Sequence, residues 1–489
     1  MKIHSALSSW KSFIKDQFHT FHWKDVVVLW SAFFISLGCG TLYVYSAYST
    51  QLAERLEFTT SQAELIGLVG STGVGLMSTV AGLLIDKTGH KIPILLGGSL
   101  LFVGYLIIYI AYQHKIGSVF LLAASLFGCG FGGTLCFMSS VKIAALCFPN
   151  IKGTATAVPL AAFGLSALFF TVLWSFIQST ENRILSLSLI SSGLAFFHLP
   201  FLGIKINDLS FHKLNEEEQF LVEEEEHLEQ LEEFELEEND EDADGRKLNT
   251  EDTNSTVKDN KEIFILRRRA FWELYFLMST ISGIGQMYIY SCGYSVRALL
   301  LDHSEVNNTI EEAIKSAEMF QVALISLFNF ASRLVSGSAS DFLIARGYQR
   351  LWLMVASAAF CCAAQVLAQA VSSIHLLWLV SIATGSSYGL VFGVFPSITS
   401  EAFGNKNFSQ NMGWLATSYV LSSFIFNTLF GKIYDSHSVW DENSNEFICR
   451  LGVHCYSTAF LITMLVSVVS VIWGFYMIYT KRLLNQQVS

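Results

Sequence analysis

Charged residues are scarce in this chain. They make up 15% of the 489 residues, against about 25% in ordinary soluble domains, while hydrophobic residues reach 52%. A soluble domain with a charged surface is thereby excluded. The chain also lacks a nucleophile motif, a zinc signature and a haem attachment pattern, which leaves an enzyme reading without support and calls for no cofactor. His19 and His22 share a helix face, but no further ligands accompany them, so no metal site is expected. Met1 to Lys24 has neither a long apolar run nor a small-residue cleavage site, and no removable signal peptide is expected. Nine cysteines give no disulfide framework, because seven lie in or beside apolar runs, where free cysteine packs as a small apolar residue. Nothing in the chain points to a nucleic-acid partner.

Long apolar segments are abundant. A span needs about 20 mainly apolar residues to cross roughly 30 Å of hydrocarbon, and twelve segments qualify. In the first half they are Val26–Ser46, Gln62–Ile85, Ile92–Tyr112, Ser118–Val141, Gly153–Ile177 and Ile184–Ile204. The second half supplies Phe271–Ser295, Ser316–Ser340, Leu351–Val371, Ile374–Pro396, Met412–Tyr434 and Tyr456–Tyr479. The halves repeat one another: adding 255 to Gly82, Asp86, Gly130, Phe137, Phe148 and Asn150 lands on Gly337, Asp341, Gly385, Phe392, Phe403 and Asn405. The expected fold is an all-α polytopic membrane protein of twelve transmembrane helices in two pseudo-symmetric six-helix halves. Its divisions are a tail at 1–25, a six-helix half at 26–204, an acidic connection at 205–270, a second half at 271–480 and a tail at 481–489.

Orientation follows from Lys and Arg near span ends. An N-terminus inside places 22 of them on the cytoplasmic side and seven opposite, so both termini are expected to be cytoplasmic. Between Glu216 and Asp244 lie 17 acidic residues and no Lys or Arg, so the net charge of −11 is a local property of the connection. Such blocks are solvated and mobile; the alternative is a docking segment for a cytoplasmic or sorting partner, since EEQFLV at Glu217–Val222 is a loose relative of acidic dileucine signals. Cys449 and Cys455 share the exoplasmic loop before the last span and are placed to pair in an oxidising lumen. Asn307, in an Asn-Asn-Thr sequon on that side, is the glycosylation candidate.

The string Gly82-Leu-Leu-Ile-Asp86-Lys87-Thr-Gly89-His90-Lys91 resembles the loop between the second and third helices of the major facilitator superfamily. That resemblance implies a latch holding the two halves together on the cytoplasmic side. Gly82, Asp86, Lys87, Gly89, His90 and Lys91, with Gly337, Asp341 and Arg346 in the repeat, are therefore assigned gating and structural roles. Further strings, including Gly40-Thr-Leu-Tyr43-x-Tyr45-Ser46, Phe148-Pro-Asn-x-Lys152-Gly153 and Leu327-Phe-Asn329-Phe-x-x-Arg333-Leu-x-Ser-Gly337, resemble the nodulin-like and monocarboxylate-transporter-like branch. The resemblance implies a carrier of a small solute working by alternating access, and an internal, vacuolar membrane.

Arg333 is the one basic residue left inside the membrane. A charge there costs about 2.5 to 3.5 kcal/mol on insertion scales and needs a partner. Monocarboxylate carriers have an Asp four residues before this Arg; here the position holds Asn329, on the same helix face. Without that carboxylate the guanidinium is freer to receive a substrate carboxylate; the alternative is a structural arginine bonded to carbonyls. Tyr43, Tyr45, Gln286, Tyr290 and Tyr388 are further substrate-binding candidates, since the first, fourth, seventh and tenth helices line the path in the resembled family. No acidic residue lies deep in a span: Glu64, Glu273 and Glu318 sit near span ends, so uniport or anion exchange fits at least as well as proton coupling. The leading expectation is transport of an organic anion such as a monocarboxylate. The alternatives are a carrier of a neutral or metal-linked metabolite and a non-transporting sensor or scaffold.

Overall fold

The computed structural model describes residues 22–58, 60–177, 179–204, 266, 268–301, 308–405, 407–441 and 446–487. The acidic segment and Asn307 lie outside the described residues.

Each expected span is met by helix. The first is α1 (Trp23–Cys39) and α2 (Ser46–Leu56), joined through a 3-10 turn at Gly40–Val44; the second is α3 (Thr60–Gly75) and α4 (Ser78–Thr88). Then come α5 (Lys91–His114), α6 (Val119–Cys147), α7 (Lys152–Ser175) and α8 (Thr180–Leu202). The second half holds α9 (Arg269–Leu300), α10 (Asn308–Ala345), α11 (Leu351–Ala370), α12 (Leu377–Phe403), α13 (Phe408–Ser436) and α14 (Ser457–Gln487). Among the described residues, ten helical stretches are long and apolar enough to cross a membrane. The other two expected spans, α9 and α13, are 32 and 29 residues long but more polar. Their polarity has a cause in their position: Ser409, Gln410 and Asn411 of α13 and Gln286 of α9 are buried against other helices instead of lipid.

Two spans are not continuous, which the apolar pattern did not foretell. The α3–α4 break falls where Gly75 meets Val420 of α13, a contact that leaves no room for a Cβ. The Ser78 hydroxyl donates to the Gly75 carbonyl at 2.6 Å and faces the Gly413 carbonyl at 3.0 Å. At the α1–α2 break, a Cβ on Gly40 would lie 2.6 Å from the Phe163 carbonyl. Elsewhere small residues let helices approach closely: Gly132 lies against the Gly97 backbone and Gly133 against Cys39.

Each half has its own core, one built on Val28, Tyr48, Tyr105 and Phe170, the other on Phe271, Met354, Val394 and Phe395. A smaller cluster of Val141, Ala145, Leu160 and Phe408 joins them. The face at which α1 begins and α14 ends is termed the near face, and the opposite one the far face. At the far face β1 (Val439–Asp441) pairs antiparallel with β2 (Glu446–Ile448). Cys449 and Cys455 form a disulfide there, buried in a cluster with Cys292 and Val296 of α9.

Candidate functional site

The hydrogen bonds that join the halves run from the near face to the midplane. Asp86, in the last turn of α4, accepts from the backbone N–H groups of Ser409 (3.3 Å) and Gln410 (2.8 Å) at the start of α13. Asp341 of α10 accepts from the N–H groups of Gly153 (2.9 Å) and Thr154 (2.6 Å) and from the Thr154 hydroxyl (2.8 Å) at the start of α7. The first amides of a helix have no partner within it and carry the positive end of its dipole, so a carboxylate from the opposite half is well matched to both. Each aspartate is also held by a cation: Lys142 Nζ at 2.7 Å from Asp86, and Arg350 Nη1 at 2.8 Å from Asp341. Arg350 Nε donates in turn to Glu401 at 2.5 Å.

The glycines of this region permit the approach. Gly82 lies against the Ser409 carbonyl, and Gly337 against Gly153 and Ala157, with no space for a Cβ at either position. Gly89 adopts φ +75°, the left-handed region that favours glycine. Lys87 and Lys91 are exposed beside it. His90 is partly buried against Gly203, and its Nε2 has no hydrogen-bond partner among the described residues. Burial, and secondarily the charge of Lys91, pushes its imidazole down to about 4. Arg346 lies over the Phe342 ring at 4.6 Å, and the cation that reaches Asp341 is Arg350, which the motif alone did not single out. Lys142 was missed too; its position in the last turns of the fourth span, one helix from Asp86, was the available signal.

At the deepest end of this seam lies Arg333, 3% exposed. Its Nε donates to Asn329 Oδ1 at 2.9 Å, one turn back on α10, and its Nη1 to the Leu160 carbonyl of the opposite half at 2.6 Å. Gly164 makes room, since a Cβ there would sit 3.3 Å from the guanidinium carbon. The Phe392 ring of α12 lies beneath the charge at 5.3 Å, a cation–π contact. Phe392 packs on Tyr388 at 4.7 Å, and the Tyr388 hydroxyl donates to Gln286 Oε1 of α9 at 2.6 Å. Tyr290, one turn further along α9, hydrogen-bonds with Gln286.

Five of the seven substrate-binding candidates, Asn329, Arg333, Gln286, Tyr290 and Tyr388, are thus brought into one group. Tyr45 is not among them: its hydroxyl donates to the Ala63 carbonyl at 2.7 Å and its ring packs over Gly67, tying the first span to the second. The Tyr43 side chain lies outside what the structure describes. Phe392 and the Leu160 carbonyl join the group from outside the sequence-derived set.

Residues 28–427 match the family model of the Major Facilitator Superfamily. Over 88% of its length the chain is 28% identical to the uncharacterized membrane protein YMR155W of Saccharomyces cerevisiae, 90% of which is covered. Over 82% it is 26% identical to a probable transporter, MCH1, of Wickerhamomyces anomalus, of which 78% is covered. Among solved structures, the proton:xylose symporter XylE aligns with a TM-score of 0.61 at 12% identity, covering 93% of this chain and 96% of that one. The transporter FucP in its outward conformation aligns at 0.53 and 14% identity, covering 91% and 98%.

Proposed function

The chain belongs to the Major Facilitator Superfamily, a family of transporters, and from that premise we propose that this secondary transporter carries a small organic anion, with Arg333 as its counter-charge. The observation that carries the reading is the placement of Arg333. A guanidinium is buried at the midplane with neutral oxygens, Asn329 Oδ1 and the Leu160 carbonyl, as acceptors. Dipoles of this kind solvate the charge without cancelling it, whereas a carboxylate would do both. In this conformation the Leu160 bond closes the seam between the halves, so an arriving carboxylate competes with that carbonyl, and anion binding is coupled to release of the seam. The monocarboxylate class is supported by the branch resemblance in the eighth span and by the Asn329–Arg333 pair.

The excess of Lys and Arg at the near face supports a cytoplasmic near face, and the disulfide supports an oxidising compartment at the far face. An internal, vacuolar membrane rests on the branch resemblance. A carrier of neutral solutes, with Arg333 purely structural, is favoured by one observation: the 3% exposure of that side chain.

Uptake of labelled monocarboxylates into proteoliposomes decides between these readings, with wild type compared against Arg333→Gln and Arg333→Lys. The anion reading expects saturable flux that Arg333→Gln abolishes and Arg333→Lys retains in part. Anion flux that survives in a folded Arg333→Gln protein would overturn it.

A further inference from the structure

Gln286, Tyr290 and Tyr294 stand at intervals of four along α9 and so share one face, which covers about 12 Å of helix. The neighbours of α9 define where that face points. On one flank Gly285 abuts Tyr388 of α12, and on the other Gly283 abuts Ser422 and Phe426 of α13. Gly293 lies under Glu318 of α10. Tyr288, on the opposite side, packs on Phe460 of the peripheral α14. The face therefore looks away from the periphery, toward the other half. Tyr290 and Tyr294 are nevertheless 57% and 55% exposed. They form the wall of a cleft between the halves that is open above the Arg333 seam.

Resting on the anion reading above, we infer that the substrate is an organic anion with a planar, unsaturated body, an aryl carboxylate in class, whose ring lies on the Tyr290 and Tyr294 wall. The site is too long for a minimal acid. From the cation the chain of contacts passes through Phe392, then Tyr388 one turn along α12, then Gln286, and reaches Tyr290 one turn along α9. One helical turn alone is about 5.4 Å, whereas a three-carbon acid is only about 4 Å long at about 1.5 Å per bond. A short acid at Arg333 leaves the tyrosines untouched; an aryl acid reaches toward them. Exposed tyrosine rings favour planar partners through offset or edge-on packing, and their hydroxyl rim accommodates a polar substituent.

The competing explanation is a gate, in which the two tyrosines only close over whatever is bound. Selectivity separates the two. Initial uptake of benzoate, phenylacetate, acetate and lactate is measured in proteoliposomes with wild type, Tyr290→Leu, Tyr290→Phe, Tyr294→Leu and Arg333→Gln. Stacking terms of this type correspond to about 2- to 10-fold in affinity. The aryl acids are expected to have lower half-saturation than the short acids in wild type. Tyr290→Leu should erase that preference by about this factor while leaving the short acids unchanged, and Tyr290→Phe should keep it. Equal wild-type handling of short and aryl acids, with Arg333-dependent flux, would overturn the aryl inference and leave the anion reading standing. A uniform loss across all four acids in both leucine variants would assign the wall to gating and likewise overturn it. Absence of any anion flux from folded wild type would remove both.

Discussion

Replacing Asp341 by Asn should open the near face. The carboxylate receives three hydrogen bonds from the start of α7 and a fourth from Arg350, itself buried. Hydrogen bonds to a charged group contribute about 1.5–3 kcal/mol each, and removing one partner of a buried ion pair costs about 3–5 kcal/mol. A carboxamide of the same shape keeps an acceptor oxygen, and Glu401 remains for Arg350, so the net loss is about 3 kcal/mol. The loss falls only on the conformation described here, because the bonds cross between halves that must separate at this face in alternating access. About 3 kcal/mol is about 150-fold, so a starting preference of 99:1 would drop to about 40:60. Met412 provides the probe: it packs between the halves against residues of both. With Met412→Cys as the reporter, labelling by a soluble thiol reagent from the near face should rise by a factor of several tens when Asp341→Asn is added. An unchanged rate in a folded double variant would refute the assignment of Asp341 to the latch.

Gly82→Val should act in the same direction by sterics alone, since the new side chain overlaps the Ser409 carbonyl; increased near-face labelling with retained folding in detergent is the expected result. His90 should make stability depend on pH. Its folded value of about 4 lies below the ordinary 6.5, so protons bind the unfolded chain first, and stability, level above about pH 6.5, should fall as pH drops toward 4. Partial exposure limits the loss to about 1–3 kcal/mol. The thermal midpoint in detergent, measured from pH 7.5 to 4.5, should fall less steeply in His90→Gln than in wild type.

The twelve-helix plan was legible because lipid imposes one rule on every residue that faces it: the scarcity of charge and the length of the apolar runs follow from that rule directly. Departures occurred where helices face one another. α9 and α13 read as weaker spans because they carry Gln286, Gln410 and Asn411 to interior contacts, and the break between α3 and α4 depends on Val420, which is distant in sequence from Gly75. The aspartates of the latch were visible in the repeated strings. Their acceptor role toward the amides of α7 and α13, and the pairing of Asp341 with Arg350, were not, since backbone groups carry no sequence signature.

Arg333 shows the division most clearly. The chain alone determines that a guanidinium lies within the membrane, that Asn329 shares its helix face, and that a charge so placed needs company. Which company it has is a property of the packed molecule: the Leu160 carbonyl belongs to a helix of the other half, and Phe392 to a third helix. Hydrophobicity and helical periodicity are local and additive along the sequence, and they set the spans and their order. The partners of a buried charge are set by which backbone atoms meet when the two halves close, and that depends on the tertiary structure.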